Sequence, residues 1–165
     1  MSSLTIRHAT PDDAEALADL LTQLGYPTGA DPIPERLAKL RARAGTAVLV
    51  AEHRGRAVAV VTVHLFDSLH TSEPVAWLTA VVVDEAMRGK GVGSAIVKRA
   101  EEWAIQQGAR KVSLTSALRR KEAHQFYLAG GYEHTGVRLS KNLGEAGTSP
   151  PDRPAAERSP TNQPT

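Results

Sequence analysis

The sequence predicts an α/β domain built on a single mixed, mostly antiparallel twisted sheet flanked by helices. Three β-rich runs, Thr46 to His53, Ala57 to Phe66 and Val75 to Val83, follow one another without an intervening helical stretch, so successive strands are expected to be neighbours in one sheet. Helical periodicity lies on both sides of them, with Leu17, Leu20, Leu21 and Leu24 upstream and Val92, Ile96, Ala100 and Trp103 downstream. A glycine-rich stretch, Arg88 to Gly93, carries the third run into the downstream helix.

Taken in order, Leu4-Thr5-Ile6-Arg7 reads as a short first strand. Thr10-Pro11-Asp12-Asp13 starts a helix, with proline at the first helical position, where a missing N–H leaves no bond unmade. Gly25 ends that helix, Tyr26 to Pro34 forms a loop, and a second helix of about ten residues carries Leu37 and Leu40. Arg54-Gly55-Arg56 turns the first two β-rich runs into a hairpin. The helix from Val92 closes at Gly108, Lys111 to Thr115 forms another strand, and a last helix from Lys121 to Ala129 stops at Gly130-Gly131. An extended segment around Val137 to Leu143 finishes the domain. Beyond it, Gly144 to Thr165 holds five of the ten prolines and no large apolar residue. Residues 1–143 are therefore expected to form one domain and 144–165 a disordered, proline-rich tail.

A chain of 165 residues with 41% apolar content can fill one core. Its formal charge of +2 offers no net-charge basis for binding nucleic acid or membrane. The absence of cysteine excludes a disulfide framework, a thiolate metal site and a cysteine nucleophile. The six histidines form no His-x-x-x-His pair, so no metal is expected. The N-terminus lacks the basic start and apolar block of a secretory signal, and no apolar run is long enough to span a bilayer, so cytoplasmic residence is the expectation.

The most informative stretch runs from Val81-Val82-Val83 through Asp84 and Glu85 to Arg88-Gly89-Lys90-Gly91-Val92-Gly93-Ser94. A helix N-terminus presents unpaired N–H groups and the positive end of the helix dipole, and both favour an anion. Glycines at 89, 91 and 93 remove side chains that would hold a phosphate away from those amides, while Arg88 and Lys90 add positive charge. A pyrophosphate fits such a turn. No Gly-Lys-Ser/Thr closes it as in a P-loop, and a dinucleotide fingerprint would need glycine where Ser94 or Ile96 stands. A plain glycine-rich helix start is the simpler alternative for these residues alone.

Arg88-x-x-Gly91-x-Gly93 after the strand Ala80 to Val83 resembles the acetyl-CoA signature of the GCN5-related N-acetyltransferase superfamily. A second stretch agrees: Ala123-His124-Gln125-Phe126-Tyr127 followed by Gly130-Gly131-Tyr132 is similar to that family's late-helix motif. The likeness covers Leu4 to Leu143 in element order. Two positions depart from the pattern, with Glu85 in place of a turn proline and Arg120 in place of a frequent asparagine. Arg120 itself, or Ser116 at the strand end, could take over the asparagine's contact.

The resemblance implies transfer of an acetyl group from acetyl-CoA to an amine by direct attack in a ternary complex. It implies that backbone groups of Val81 and Val83 pair with the pantetheine arm, and that the amides of Arg88, Gly89, Lys90, Gly91, Val92, Gly93 and Ser94 hold the pyrophosphate. Tyr127 is the implied general acid, since a phenol stays protonated at neutral pH and can hand its proton to a departing thiolate. It could equally be a core aromatic, as Phe126 is expected to be. For the base, Glu73, His64 and water are the candidates. Asp84 reads as a turn residue.

The expected acceptor is a primary amine of a small molecule or amino acid, chosen by the loops Tyr26 to Pro34 and Phe66 to Glu73. A protein lysine or N-terminus is the alternative acceptor, and a non-catalytic acyl-CoA-binding module is the alternative of another class. Arg119-Arg120-Lys121 and the helix Arg36 to Arg43 read as solvated faces rather than a nucleic-acid surface, and no membrane partner is expected. A homodimer is frequent among similar proteins.

Overall fold

The computed structural model describes residues 4–144. In chain order the elements are β1 (Thr5–His8), a 3₁₀ turn at Pro11–Asp13 leading into α1 (Ala14–Leu24), α2 (Ile33–Arg41), β2 (Thr46–His53), β3 (Arg56–Phe66) and β4 (Val75–Val83). A second 3₁₀ turn, Glu85–Met87, precedes α3 (Val92–Gln106), β5 (Lys111–Leu114) and α4 (Lys121–Ala129). The strands form one open sheet in the order β1-β2-β3-β4-β5. Every pairing is antiparallel except β4 with β5, which is parallel because α3 carries the chain back across the sheet. The expected mixed, mostly antiparallel sheet flanked by helices is the observed one.

The strands read as continuous apolar runs because helices cover both faces. On one face Leu17 and Leu20 of α1 and Leu37 of α2 pack on Val48, Val50, Val60 and Val82. On the other, Ile96, Val97 and Ala100 of α3 pack on Leu49, Val61, Val63 and Leu78. Neighbours such as Val48 and Leu49 thus serve opposite cores, as the period of two requires. The β2–β3 hairpin turns at Arg54 and Gly55, both with positive φ (+52° and +76°), which matches the twist of the strands it joins.

An ion pair between a half-buried Arg7 and a buried Asp13 fixes the start of α1. Asp13 Oδ1 and Oδ2 accept from Arg7 Nη2 and Nη1, each at 2.8 Å, and Oδ2 also accepts from the Thr10 N–H at 2.8 Å. Arg7 Nε donates to Glu52 Oε2 at 2.8 Å, so β1, β2 and α1 meet on one guanidinium. Burial pushes the Asp13 carboxyl up, but the Arg7 guanidinium and the Thr10 donors outweigh it and hold the group below the usual carboxylate range.

The extended segment expected around Val137 to Leu143 joins no strand or helix, and Val137, Leu139 and Leu143 are exposed. One boundary shifts. β5 ends at Leu114 rather than Thr115. Of the tail expected over 144–165, residues 145–165 lie outside the described residues.

Candidate active site

The middle of β4 is irregular. Its register with β3 runs from Phe66↔Val75 to Thr62↔Thr79 and resumes at Val60↔Val82 and Ala59↔Val83. Ala80 and Val81 therefore oppose the single residue Val61, a bulge that bends β4. Ala80 has φ +51°, a left-handed conformation that costs a residue with a Cβ about 1 kcal/mol. Nothing in its residue type marks Ala80 for this role.

On its other side β4 pairs with β5 only from Val75↔Lys111 to Leu78↔Leu114. Past Leu78 the strand is paired to β3 alone. The Asp84 N–H donates to Val58 O at 2.8 Å, so alternation turns the N–H and C=O of Val83 to the opposite, open edge. There the Val83 carbonyl accepts from Arg88 Nε at 3.1 Å. Val81 lies within the bulge at the same edge of the site. Ser116, two residues beyond β5, has a buried hydroxyl without a hydrogen-bond partner among the described residues.

The glycine turn follows directly. Gly89 (φ +72°) and Gly91 (φ +79°) take left-handed conformations, and a Cβ at either would meet no atom within 4 Å. Backbone conformation requires these glycines, and the space beside them is open. Gly91 caps α3, whose first intrahelical bond runs from the Ala95 N–H to Gly91 O at 3.1 Å. The N–H groups of Val92, Gly93 and Ser94 precede that bond and point out of the helix end. The Val92 side chain is buried in the core and Ser94 is exposed. Lys90 Nζ donates to Ala86 O at 2.9 Å, so the two cationic side chains tie the turn to its own Ala86 carbonyl and to the end of β4 while their charge stays beside it.

Gly93 has another reason to be glycine. A Cβ there would lie 3.4 Å from Phe126 Cζ and 3.6 Å from Val83 Cγ2. At this point β4, α3 and α4 converge, which brings the late-helix motif beside the glycine turn and the open end of β4. Tyr127 follows Phe126 along α4, half-buried, with its ring 5.1 Å from that of Phe126 and 5.5 Å from that of Tyr132. Burial pushes the Tyr127 phenol above its ordinary value, against a smaller downward pull from Arg120, the N-cap of α4. The neighbouring Tyr132 is engaged otherwise: its hydroxyl donates to Glu101 Oε1 at 2.7 Å.

The turn is also tied to the opposite face of the sheet. The Glu85 N–H donates to Gln23 Oε1 near the end of α1 at 3.0 Å. Proline has no N–H to give, so the departure at Glu85 supplies a bond that the common residue could not. Asp84 Oδ1 accepts from the Ala86 N–H at 2.9 Å, as a turn residue should.

On the α1/α2 face a cavity of about 240 Å³ reaches the bulge. Leu21, Leu37, Leu40 and Val48 wall it, and Thr62, His64, Thr79 and Ala80 meet at the sheet. His64 Nε2 lies 3.2 Å from Thr79 Oγ1, and Nδ1 lies 3.5 Å from Thr46 Oγ1. Burial, helped by Arg43, pushes the His64 imidazole below its ordinary value, so it is neutral at pH 7. Glu73 is exposed in the loop before β4, roughly 20 Å along the strand from Ala80 at about 3.3 Å per residue. The structure therefore separates the two candidate bases. None of the described residues lining the cavity comes from Phe66 to Glu73, which sits at the far end of β4; the helices α1 and α2 form it instead, with Ile33 from the other expected loop. Sequence reasoning missed Thr62, Thr79 and Ala80. Hydroxyls within apolar strands were the only available signal.

The Acetyltransferase (GNAT) family matches residues 14–132. The chain is 29% identical over 143 residues to the aminoalkylphosphonate N-acetyltransferase of Salmonella typhimurium, covering 84% of this chain and 90% of that one. It is 33% identical over 137 residues to the aminoglycoside N(6')-acetyltransferase type 1 of Stenotrophomonas maltophilia, covering 81% and 89%. Among solved structures, an aminoglycoside N-acetyltransferase in complex with CoA superposes with a TM-score of 0.75 at 20% identity, over 86% of this chain and 95% of that one, a likeness of fold. No helix among the described residues is long and apolar enough to cross a membrane. With the split strand, the glycine-capped helix and the late-helix tyrosine gathered at one lip of the sheet, the chain belongs to the Acetyltransferase (GNAT) family and is an N-acetyltransferase.

Proposed function

We propose that the protein transfers the acetyl group of acetyl-CoA to the primary amine of a small molecule or amino acid, by direct attack in a ternary complex. The observation that carries this reading is the convergence at Gly93, in the first turn of α3, where a Cβ would meet Phe126 of α4, next to Tyr127, and Val83 of β4. The residues present suit an acyl-CoA. The open edge at Val81 and Val83 can pair with the amide-bearing pantetheine arm as an added strand would. The turn Arg88 to Ser94 leaves N–H groups and positive charge for a pyrophosphate, and the unpartnered Ser116 hydroxyl lies at the end of β5 beside the split. When bound, acetyl-CoA supplies the thioester carbonyl that the amine attacks.

The chain's own groups manage the protons. His64, the one neutral titratable group lining the cavity among the described residues, accepts the proton that the acceptor ammonium must lose. The new C–N bond forms as the C–S bond breaks, and Tyr127 Oη donates its proton to the departing sulfur. The raised pKa keeps that proton available through neutral and mildly alkaline pH. No Gly-x-Ser-x-Gly elbow or cysteine offers an acyl-enzyme route.

A screen of primary amines for acetyl-CoA-dependent release of free CoA tests the reading. Release with at least one small amine, saturable in both substrates, is expected. Tight acetyl-CoA binding without release with any amine would instead identify a binding module.

A further inference from the structure

We propose that the cavity between α1, α2 and the sheet selects a primary amine carried on an apolar body with one anionic group, and disfavours polycationic amines. This rests on the acetyl-transfer reading above and adds the chemistry of the acceptor. The walls are aliphatic, with Leu21, Leu37 and Leu40 from the helices and Val48 and Val60 from the sheet. The volume of about 240 Å³ exceeds the roughly 150 Å³ that suffices to admit benzene. Thr62, His64 and Thr79 are grouped at the bulge by the register Thr62↔Thr79 and the 3.2 Å contact of His64 with Thr79. The amine end of an acceptor belongs there, beside Ala80.

The charge on the rim decides what the other end carries. Arg36 lines the cavity and makes no ion pair among the described residues, and no Asp or Glu lines it. Arg43, just past the end of α2, adds positive charge that acts on His64. A second ammonium group would thus meet aliphatic walls and Arg36, with no carboxylate lining the cavity to balance it. A carboxylate or phosphonate would meet Arg36.

The test uses the full chain and measures both acetyl transfer and equilibrium binding by calorimetry. The acceptors are 4-aminobutanoate, 6-aminohexanoate, 3-aminopropylphosphonate, neutral hexylamine, spermidine and kanamycin. Among the ω-amino acids kcat/KM should rise about fourfold per added methylene until the cavity is filled. The carboxylate and phosphonate arms distinguish the two anion sources. The exposed variant Arg36→Glu should lower the ratio of kcat/KM for 6-aminohexanoate over hexylamine by about 10-fold, combining a lost exposed pair with a new repulsion. Spermidine or kanamycin turning over faster than every ω-amino acid, or an unchanged ratio in Arg36→Glu, would overturn the proposal while acetyl transfer stands. Arg36-dependent binding of 6-aminohexanoate without CoA release would support the cavity's specificity and refute the transfer reading. Failure of every apolar amine to bind would overturn the cavity assignment.

Discussion

Replacing Tyr127 by phenylalanine should lower kcat by about 10-fold or more and leave folding nearly unchanged, whereas the same change at Tyr132 should do the reverse. The two rings touch, 5.5 Å apart, but their hydroxyls have different tasks. Tyr127 retains its edge contacts with Phe126 and Tyr132 in the phenylalanine variant and abandons no hydrogen bond among the described residues, so the stability change should stay within about 0.5 kcal/mol. General-acid catalysis is typically worth about 10²–10⁴-fold; a CoA thiolate leaves readily even unprotonated, so a loss below that range, about 10-fold or 1.4 kcal/mol of barrier, is the minimum expected. Tyr132→Phe removes a 2.7 Å bond to a half-exposed carboxylate that water can resolvate, a loss of about 1 kcal/mol in stability with kcat within about twofold. Single-turnover acetyl transfer, with acetyl-CoA affinity and urea unfolding measured in parallel, reads both effects. Because burial raises the Tyr127 pKa, wild-type kcat should show no alkaline loss attributable to this group below about pH 10. Wild-type kcat in Tyr127→Phe at every pH would make that tyrosine structural and pass the acid role to water or another side chain.

Acetyl-CoA at 100-fold its Kd should stabilise the wild-type protein by about 2.7 kcal/mol, and Gly91→Glu should abolish that gain by setting a negative side chain against the pyrophosphate. Gly93→Ala should keep it, with stability altered by less than about 1 kcal/mol, since a helix-propensity gain offsets a Cβ only 3.4 Å from Phe126. A melting scan with and without acetyl-CoA distinguishes these outcomes. If His64 is the base, kcat/KM should fall as pH drops through its depressed pKa, below the ordinary 6.5 of histidine; in His64→Gln that acid limb should vanish and the rate at pH 7.5 drop about 10²-fold. An unchanged limb in the variant would return the role to solvent. Arg7→Leu should destabilise the fold by about 3 kcal/mol at pH 7, because Asp13 would stay buried without its partner. Since the pair lowers the folded pKa of Asp13, its contribution is present above the usual carboxylate range and disappears as pH falls through the lowered value, which urea titrations at pH 7 and pH 3 would expose.

Much of the fold could be read in advance because its signals are local. The helix from Val92 announces itself through a period near four and a closing Gly108, and the three central strands through apolar runs rich in valine and threonine. Glycine at 89 and 91 likewise reports a backbone need at the place where it arises. The bulge was hidden, since alanine carries no preference for φ +51° and only the register of β3 against β4 imposes it at position 80. The cavity was hidden for a related reason: Leu21, Leu37, Val48, His64 and Thr79 are scattered over some sixty residues and meet only when two helices close on the sheet. His64 and Glu73 looked equivalent as bases in the sequence, and strand geometry alone separates them. Gly93 reads in the sequence as one of the phosphate glycines, and only the structure adds that its missing side chain also makes room for Phe126.

The end of β4, tied to β3 on one side and open on the other, makes part of this site invisible to side-chain mutagenesis. A partner that binds through the peptide groups of Val81 and Val83 tolerates many side chains at those positions, so substitution scans would pass over them. Isotope exchange is sensitive where substitution is not. The Val83 amide faces away from the β3 ladder and should take up deuterium quickly in the free protein, while the Asp84 amide, bonded to Val58 at 2.8 Å, should exchange slowly. Two adjacent amides with opposite protection, one of them slowed by acetyl-CoA, would report occupancy of the cleft directly from the main chain.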